Sequence, residues 1–218
     1  LIFVAYNSLY ISFLENERWK MITILDRNQK LGEHKHSLNI TYPRTINIIF
    51  GHYAYPERIH NLIMEIKSNL KEELHNHTYV KGGMTDWNYF IDKPEFNEFM
   101  ATVINKHQLS HPEMFQYFFE KMMMINAWGN EIKTGDKVGY HFHNSYHGIL
   151  YLSEGNDLIL PELNISITPK PGDYYIFPPY ISHGVNENKF KNNRYSLIFN
   201  FGYDTEKTFQ YNNKWEKL

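Results

Sequence analysis

The chain has no cysteine among its 218 residues. That excludes a disulfide framework and a thiolate metal site, so any metal must rest on imidazole or carboxylate. No excess of one charge is present either: 22 basic side chains face 24 acidic ones, a formal net charge of −2. Without a basic surplus or a like-charge run, there is no clear nucleic-acid signature and nothing asks for a membrane surface, although a local groove is invisible in a total. Long hydrophobic runs are missing as well. The opening Leu1–Leu14 is apolar but broken by Asn7 and Ser8, lacks a basic start, and is too short to span a bilayer. Two readings of it stand level. One is an over-extended reading frame with Met21 as the true start, leaving 1–20 as a non-native or poorly ordered extension; the other is an N-terminal strand. Alanine is scarce and 17 % of residues are aromatic, which favours β structure over a helical bundle.

What is present divides the chain by period. Short β-branched runs at Ile22–Leu25 and Ile46–Phe50 predict two strands, and His34 and His36 between them read as a solvated loop. Pro56 opens a helical stripe of Ile59, Leu62, Ile63, Ile66, Leu70 and Leu74. A second helix begins at Asp92–Pro94 with Phe96, Phe99, Met100, Val103 and Ile104 on one face, and Ser110 is placed to cap a short third helix through Phe119. Between the first two, Val80–Tyr89 reads as a loop closing onto a strand edge. From Met122 the period becomes two, placing Met124, Asn126, Trp128 and Asn130 on one side. Short strands follow at Gly139–His143, Gly148–Leu152, Leu158–Leu160, Ile165–Thr168, Asp173–Phe177, His183–Val185 and Tyr195–Phe201. The expected fold is mainly β with flanking helices, a jelly roll. One domain is expected over 1–218, with strands and buttressing helices in 21–121 and the β core in 122–203.

The chemistry-bearing residues lie in that core. On a strand, His141 and His143 point the same way and can offer two cis ligands to one metal, with His183 brought in from a second strand. Arg194 and Ser196 share a face downstream, a pair suited to gripping a carboxylate. Tyr151 is a candidate donor to the same acid. Trp128, Asn130 and His147 are candidates for the pocket wall around the metal ligands, and Tyr140 or Tyr180 for its mouth.

Together, Trp128-Gly-Asn130, Gly135-Asp136, His141-Phe-His143, Gly148-Ile-Leu-Tyr151-Leu, Phe177-Pro178…His183-Gly-Val185 and Arg194-Tyr-Ser196-Leu-Ile-Phe-Asn200 resemble a 2-oxoglutarate/iron(II)-dependent oxygenase, most of all phage and marine bacterial members. The likeness covers roughly 80–203. It implies a double-stranded β-helix (the cupin-like jelly roll), Fe(II), 2-oxoglutarate as co-substrate and O₂. It also implies His141 and His183 as metal ligands, with Arg194, Ser196 and Tyr151 around the co-substrate. His143 departs from the family pattern, standing where a carboxylate is usual; bound, it would make a three-histidine face one charge more positive.

Gly135-x5-His141-x-His143-x3-His147 and Gly172-x5-Pro178-x4-His183 also resemble the two cupin motifs, implying a metal enzyme without 2-oxoglutarate that uses His147 as a fourth ligand. A third reading is an inactive jelly-roll binding protein. The primary substrate is left open among a small molecule, a peptide and a nucleobase, and a homodimer is left open as the assembly. Location is expected to be cytoplasmic, the host cytoplasm if the chain is phage-encoded.

Overall fold

The computed structural model describes residues 2–6, 9–13, 20–26, 44–71, 82–110, 122–179 and 181–203. The chain forms two compact units, Leu1–Gly51 and His52–Leu218. The first is an antiparallel meander of β1 (Ile2–Tyr6), β2 (Leu9–Phe13), β3 (Lys20–Asp26) and β4 (Arg44–His52), paired in chain order. Both runs expected between Met21 and Phe50 are therefore strands, and so are parts of Leu1–Leu14; His34 and His36 lie outside the described residues.

Among the described residues, the second unit is a jelly roll carrying two α-helices. Pro56, with its fixed φ, opens α1 (Pro56–Ser68); Glu57 sits in the first turn and Lys67 in the last, each at the dipole end that favours its charge. The second helix, α2, runs Pro94–Ser110. Ser110 is the last residue of α2. The helical period simply continues through it, and the expected third helix otherwise lies outside the described residues.

Nine strands follow the two units' boundary: β5 (Gly83–Met84), β6 (Met122–Ile132), β7 (Val138–His141), β8 (Tyr146–Tyr151), β9 (Leu158–Leu160), β10 (Ile165–Ile167), β11 (Asp173–Phe177), β12 (His183–Val185) and β13 (Arg194–Tyr203). They form two antiparallel sheets, one ordered β11-β8-β13-β6-β5 and a smaller one ordered β10-β9-β12-β7. Gly83 and Met84 pair with Glu131 and Asn130, so the segment read as closing onto a strand edge does so.

The outer face of the larger sheet is buried under the helices. Ile59, Leu62 and Ile66 of α1 and Phe96, Phe99, Met100 and Val103 of α2 are buried, most of the stripe the helical spacing predicts; Ile63 and Ile104 are half-buried at its margin, Leu70 lies past the end of α1, and Leu74 lies outside the described residues. Phe99 meets Phe199 and Tyr174 edge-on, at ring centroids 5.8 and 5.7 Å apart. Gly129 lets α1 approach this closely, since a Cβ there would stand 2.3 Å from Cγ1 of Ile66. Asn188 ties the ends of the small sheet together: its N–H donates to the Asp136 carbonyl at 2.7 Å, its carbonyl accepts from Gly135 at 2.8 Å, and its Nδ2 donates to the Ile132 carbonyl at 3.1 Å. This fixes the turn that feeds β7. Among the described residues no helix is long and apolar enough to cross a membrane.

Candidate metal and acid-binding site

Register decides which side chains share the inner face of the larger sheet. On β13, Arg194 lies opposite Ile132, Ser196 opposite Asn130 and Tyr151, Ile198 opposite Trp128 and Ile149, and Asn200 opposite Asn126 and His147. Tyr175 and Phe177 of β11 extend the same rows beside Ile149 and His147. Directly paired residues project to one side, so this face carries Arg194 and Ser196 toward one end and His147 with Asn200 toward the other.

The smaller sheet supplies the other histidines. His183 of β12 pairs directly with His141 of β7. The sequence expectation of a strand through His143 is corrected here, because β7 ends at His141 and the chain bends at Asn144–Ser145. His143 still joins the pair. Ligand atoms of His141, His143 and His183 all lie within 4.8 Å of one another, a group able to hold a metal ion. His141 Nδ1 lies 2.8 Å from the Gly139 carbonyl and His183 Nδ1 lies 3.0 Å from the Ile181 carbonyl. A carbonyl only accepts, so each Nδ1 carries the proton and each Nε2 keeps a lone pair for a metal. Nε2 of His183 and of His143 is buried without a hydrogen-bond partner.

Burial keeps these rings neutral, as ligation requires. Desolvation pushes His143 down to about 4 and His183 down to about 3, and the neighbouring imidazoles add to both shifts. His141 is lowered by burial too, against the opposing bond to Gly139. His147 is lowered most, by complete burial and then by His183 and His143. Its Nδ1 bonds Oδ1 of Asn200 at 2.7 Å. Three neutral imidazoles with converging lone pairs suit iron(II), nickel, copper or zinc.

At the other end, Arg194 is 2 % exposed, and no carboxylate among the described residues lies within ion-pair distance. Its Nε has no hydrogen-bond partner. The guanidinium carbon sits 4.7 Å from the centre of the Tyr151 ring, and Gly155 makes room for the arginine stem, since a Cβ there would meet Cδ at 2.5 Å. Burial lowers the Arg194 pKa and pushes the Tyr151 hydroxyl up to about 12, so the tyrosine stays a neutral donor. The nearby guanidinium opposes part of that rise, and no other partner reaches the hydroxyl among the described residues. A desolvated guanidinium beside a buried serine and a phenol calls for an anion, and its planar fork matches a carboxylate.

The sequence-derived residues are thus brought together as two clusters on one interior: His141, His143 and His183 with His147 against them, and Arg194 with Ser196 and Tyr151. Trp128 and Asn130 lie on the inner face between, with Trp128 Nε1 and Asn130 Oδ1 unpartnered and Trp87 set edge-on to Trp128 at 4.7 Å. Tyr140 is exposed on the histidine strand, and Tyr180 lies outside the described residues. Sequence reasoning gave no role to Asn200 or Gly155. Asn200 falls in the same period-two row as Arg194 and Ser196, a signal that could have found it; Gly155 carried none.

The jelly roll thus carries an imidazole cluster able to hold a metal at one end of its interior and a buried guanidinium at the other. Solved structures that resemble the chain include several 2-oxoglutarate/iron(II) oxygenases. A Pseudomonas putida prolyl-4-hydroxylase aligns with 72 % of this chain and 93 % of its own, at 13 % identity and a TM-score of 0.55. The collagen prolyl hydroxylase of Paramecium bursaria Chlorella virus-1, solved with 2-oxoglutarate, aligns with 71 % and 94 % at 14 % identity and a TM-score of 0.50. HygX from Streptomyces hygroscopicus, with nickel and 2-oxoglutarate bound, aligns with 71 % and 82 % at 9 % identity and a TM-score of 0.50. At such identities the likeness shows the fold alone, a double-stranded β-helix. No family sequence profile matches the chain, and no curated protein does.

Proposed function

We propose that the chain is an iron(II)- and 2-oxoglutarate-dependent dioxygenase that hydroxylates a second, unidentified substrate. The observation that carries this is Arg194, a buried guanidinium with no anionic partner among the described residues, on the same interior as three converging histidines. Iron(II) with bound 2-oxoglutarate would supply the oxidising chemistry, coupling decarboxylation of the acid and reduction of O₂ to oxidation of a substrate C–H bond. His141, His143 and His183 hold the metal as neutral ligands. Arg194 grips the distal carboxylate of the acid, with Ser196 and the Tyr151 hydroxyl completing its hydrogen bonds. Ile149, Ile198 and Phe177 line the interior between the two ends and keep water from it.

A four-histidine cupin site is disfavoured by ring geometry. An imidazole ligand keeps the metal in its own plane, so two nearly parallel ligand rings on one ion must be coplanar. His143 and His147 are within 7° of parallel at a centroid separation of 3.9 Å. Rings in one plane would overlap at that distance, so these two are face to face and cannot both bind one ion.

The test is anaerobic addition of iron(II) and then 2-oxoglutarate, which should produce a weak visible charge-transfer band in the wild type and none in His183→Ala. A wild type that gives no band and does not bind 2-oxoglutarate contradicts the proposal.

A further inference from the structure

His141 and His183 are each held by a backbone carbonyl two residues upstream. His143 has no such restraint: it stands past the end of β7, and neither ring nitrogen makes a hydrogen bond among the described residues. Metal-binding histidines are ordinarily oriented by a hydrogen bond from the second nitrogen. What His143 has instead is the face of His147, stacked within 7° at 3.9 Å. The His147 ring also lies 4.5 Å from that of His183, at 26°. It is itself pinned, completely buried on the central strand β8 and bonded through Nδ1 to Asn200. Asn200 belongs to β13, the strand that carries Ser196 and Arg194.

We infer that His147 is a positioning residue, an aromatic platform locked by Asn200 that sets the ring plane of His143 and so completes the three-histidine face. This rests on the proposed metal site but goes beyond it, because His147 contributes through its flat face and not through a lone pair. The arrangement explains how a histidine just beyond a strand end can serve as a ligand without an anchor of its own. It also assigns Asn200 a function, joining the metal end of β13 to its acid-binding end.

Titration of the metal-free protein with cobalt(II), read by its visible d–d spectrum, tests the inference without reference to turnover. His147→Phe keeps a flat ring and should bind within about threefold of wild type with the same spectrum. His147→Ala should lose about 10- to 100-fold, the range found when the group orienting a ligand is removed. Asn200→Leu, which leaves the platform ring present but unpinned, should fall between them and shift the spectrum. If His147→Phe loses as much as His141→Ala, His147 is itself a ligand and the inference fails. If all three variants fold, by thermal unfolding, and bind cobalt like wild type, His147 only fills space and the inference fails again. In both cases a cobalt-binding wild type leaves the proposed function standing, whereas a wild type that binds no cobalt removes the metal site and the platform together.

Discussion

The two faces of the larger sheet bury comparable side chains but treat polar atoms in opposite ways. On the outer face, Glu131 accepts from the Tyr195 hydroxyl at 2.5 Å and from Asn193 at 2.9 Å, and Thr85 accepts from the Gly129 N–H at 3.0 Å. On the inner face, Asn126, Trp128, Asn130, Tyr151 and Arg194 each keep a buried polar atom without a partner among the described residues, as do His143 and His183 on the side of the smaller sheet. An unpaired buried polar group costs about 1–3 kcal/mol. A face that leaves five such residues unsatisfied among the described residues is shaped for something other than its own stability. On the proposed function, the outer face holds the fold and the inner face receives ligands. Neutral ligand nitrogens and a free guanidinium are complementary demands, one for a cation and one for an anion.

Substitutions should separate the two faces. The largest effect is expected from Phe99→Ala, which empties a site wedged between Phe199 and Tyr174 and should cost about 3–5 kcal/mol in denaturant unfolding. Gly129→Ala should cost about 1–3 kcal/mol by forcing Ile66 away. Arg194→Met reverses the sign. Replacing an unpaired buried charge by an apolar chain of similar length should leave the metal-free protein as stable, or up to about 2 kcal/mol more stable. A metal-free Arg194→Met protein that unfolds as readily as Phe99→Ala would show that the arginine is a structural member and break the comparison.

Much of this division was legible in the sequence, for a physical reason. Period two from Met122 placed Asn126, Trp128 and Asn130 on one side, and three of the short strands, Leu158–Leu160, Asp173–Phe177 and His183–Val185, have the bounds that turn residues and alternation predicted. The helical stripes were readable because each helix has a single buried face. Less legible were features set by three-dimensional closeness. The bend after His141, the stacking of His143 on His147 and the space Gly155 leaves for Arg194 depend on pairings between distant strands, which local patterning does not encode.

The most direct measurement of the central claim is calorimetric titration of 2-oxoglutarate into manganese(II)-loaded protein. The account predicts one site per chain, binding much weakened without the metal and weakened about 100-fold by Arg194→Ala, as expected when a charged carboxylate partner is removed. Binding that ignores both the metal and Arg194, or no binding at all to the loaded wild type, would contradict it.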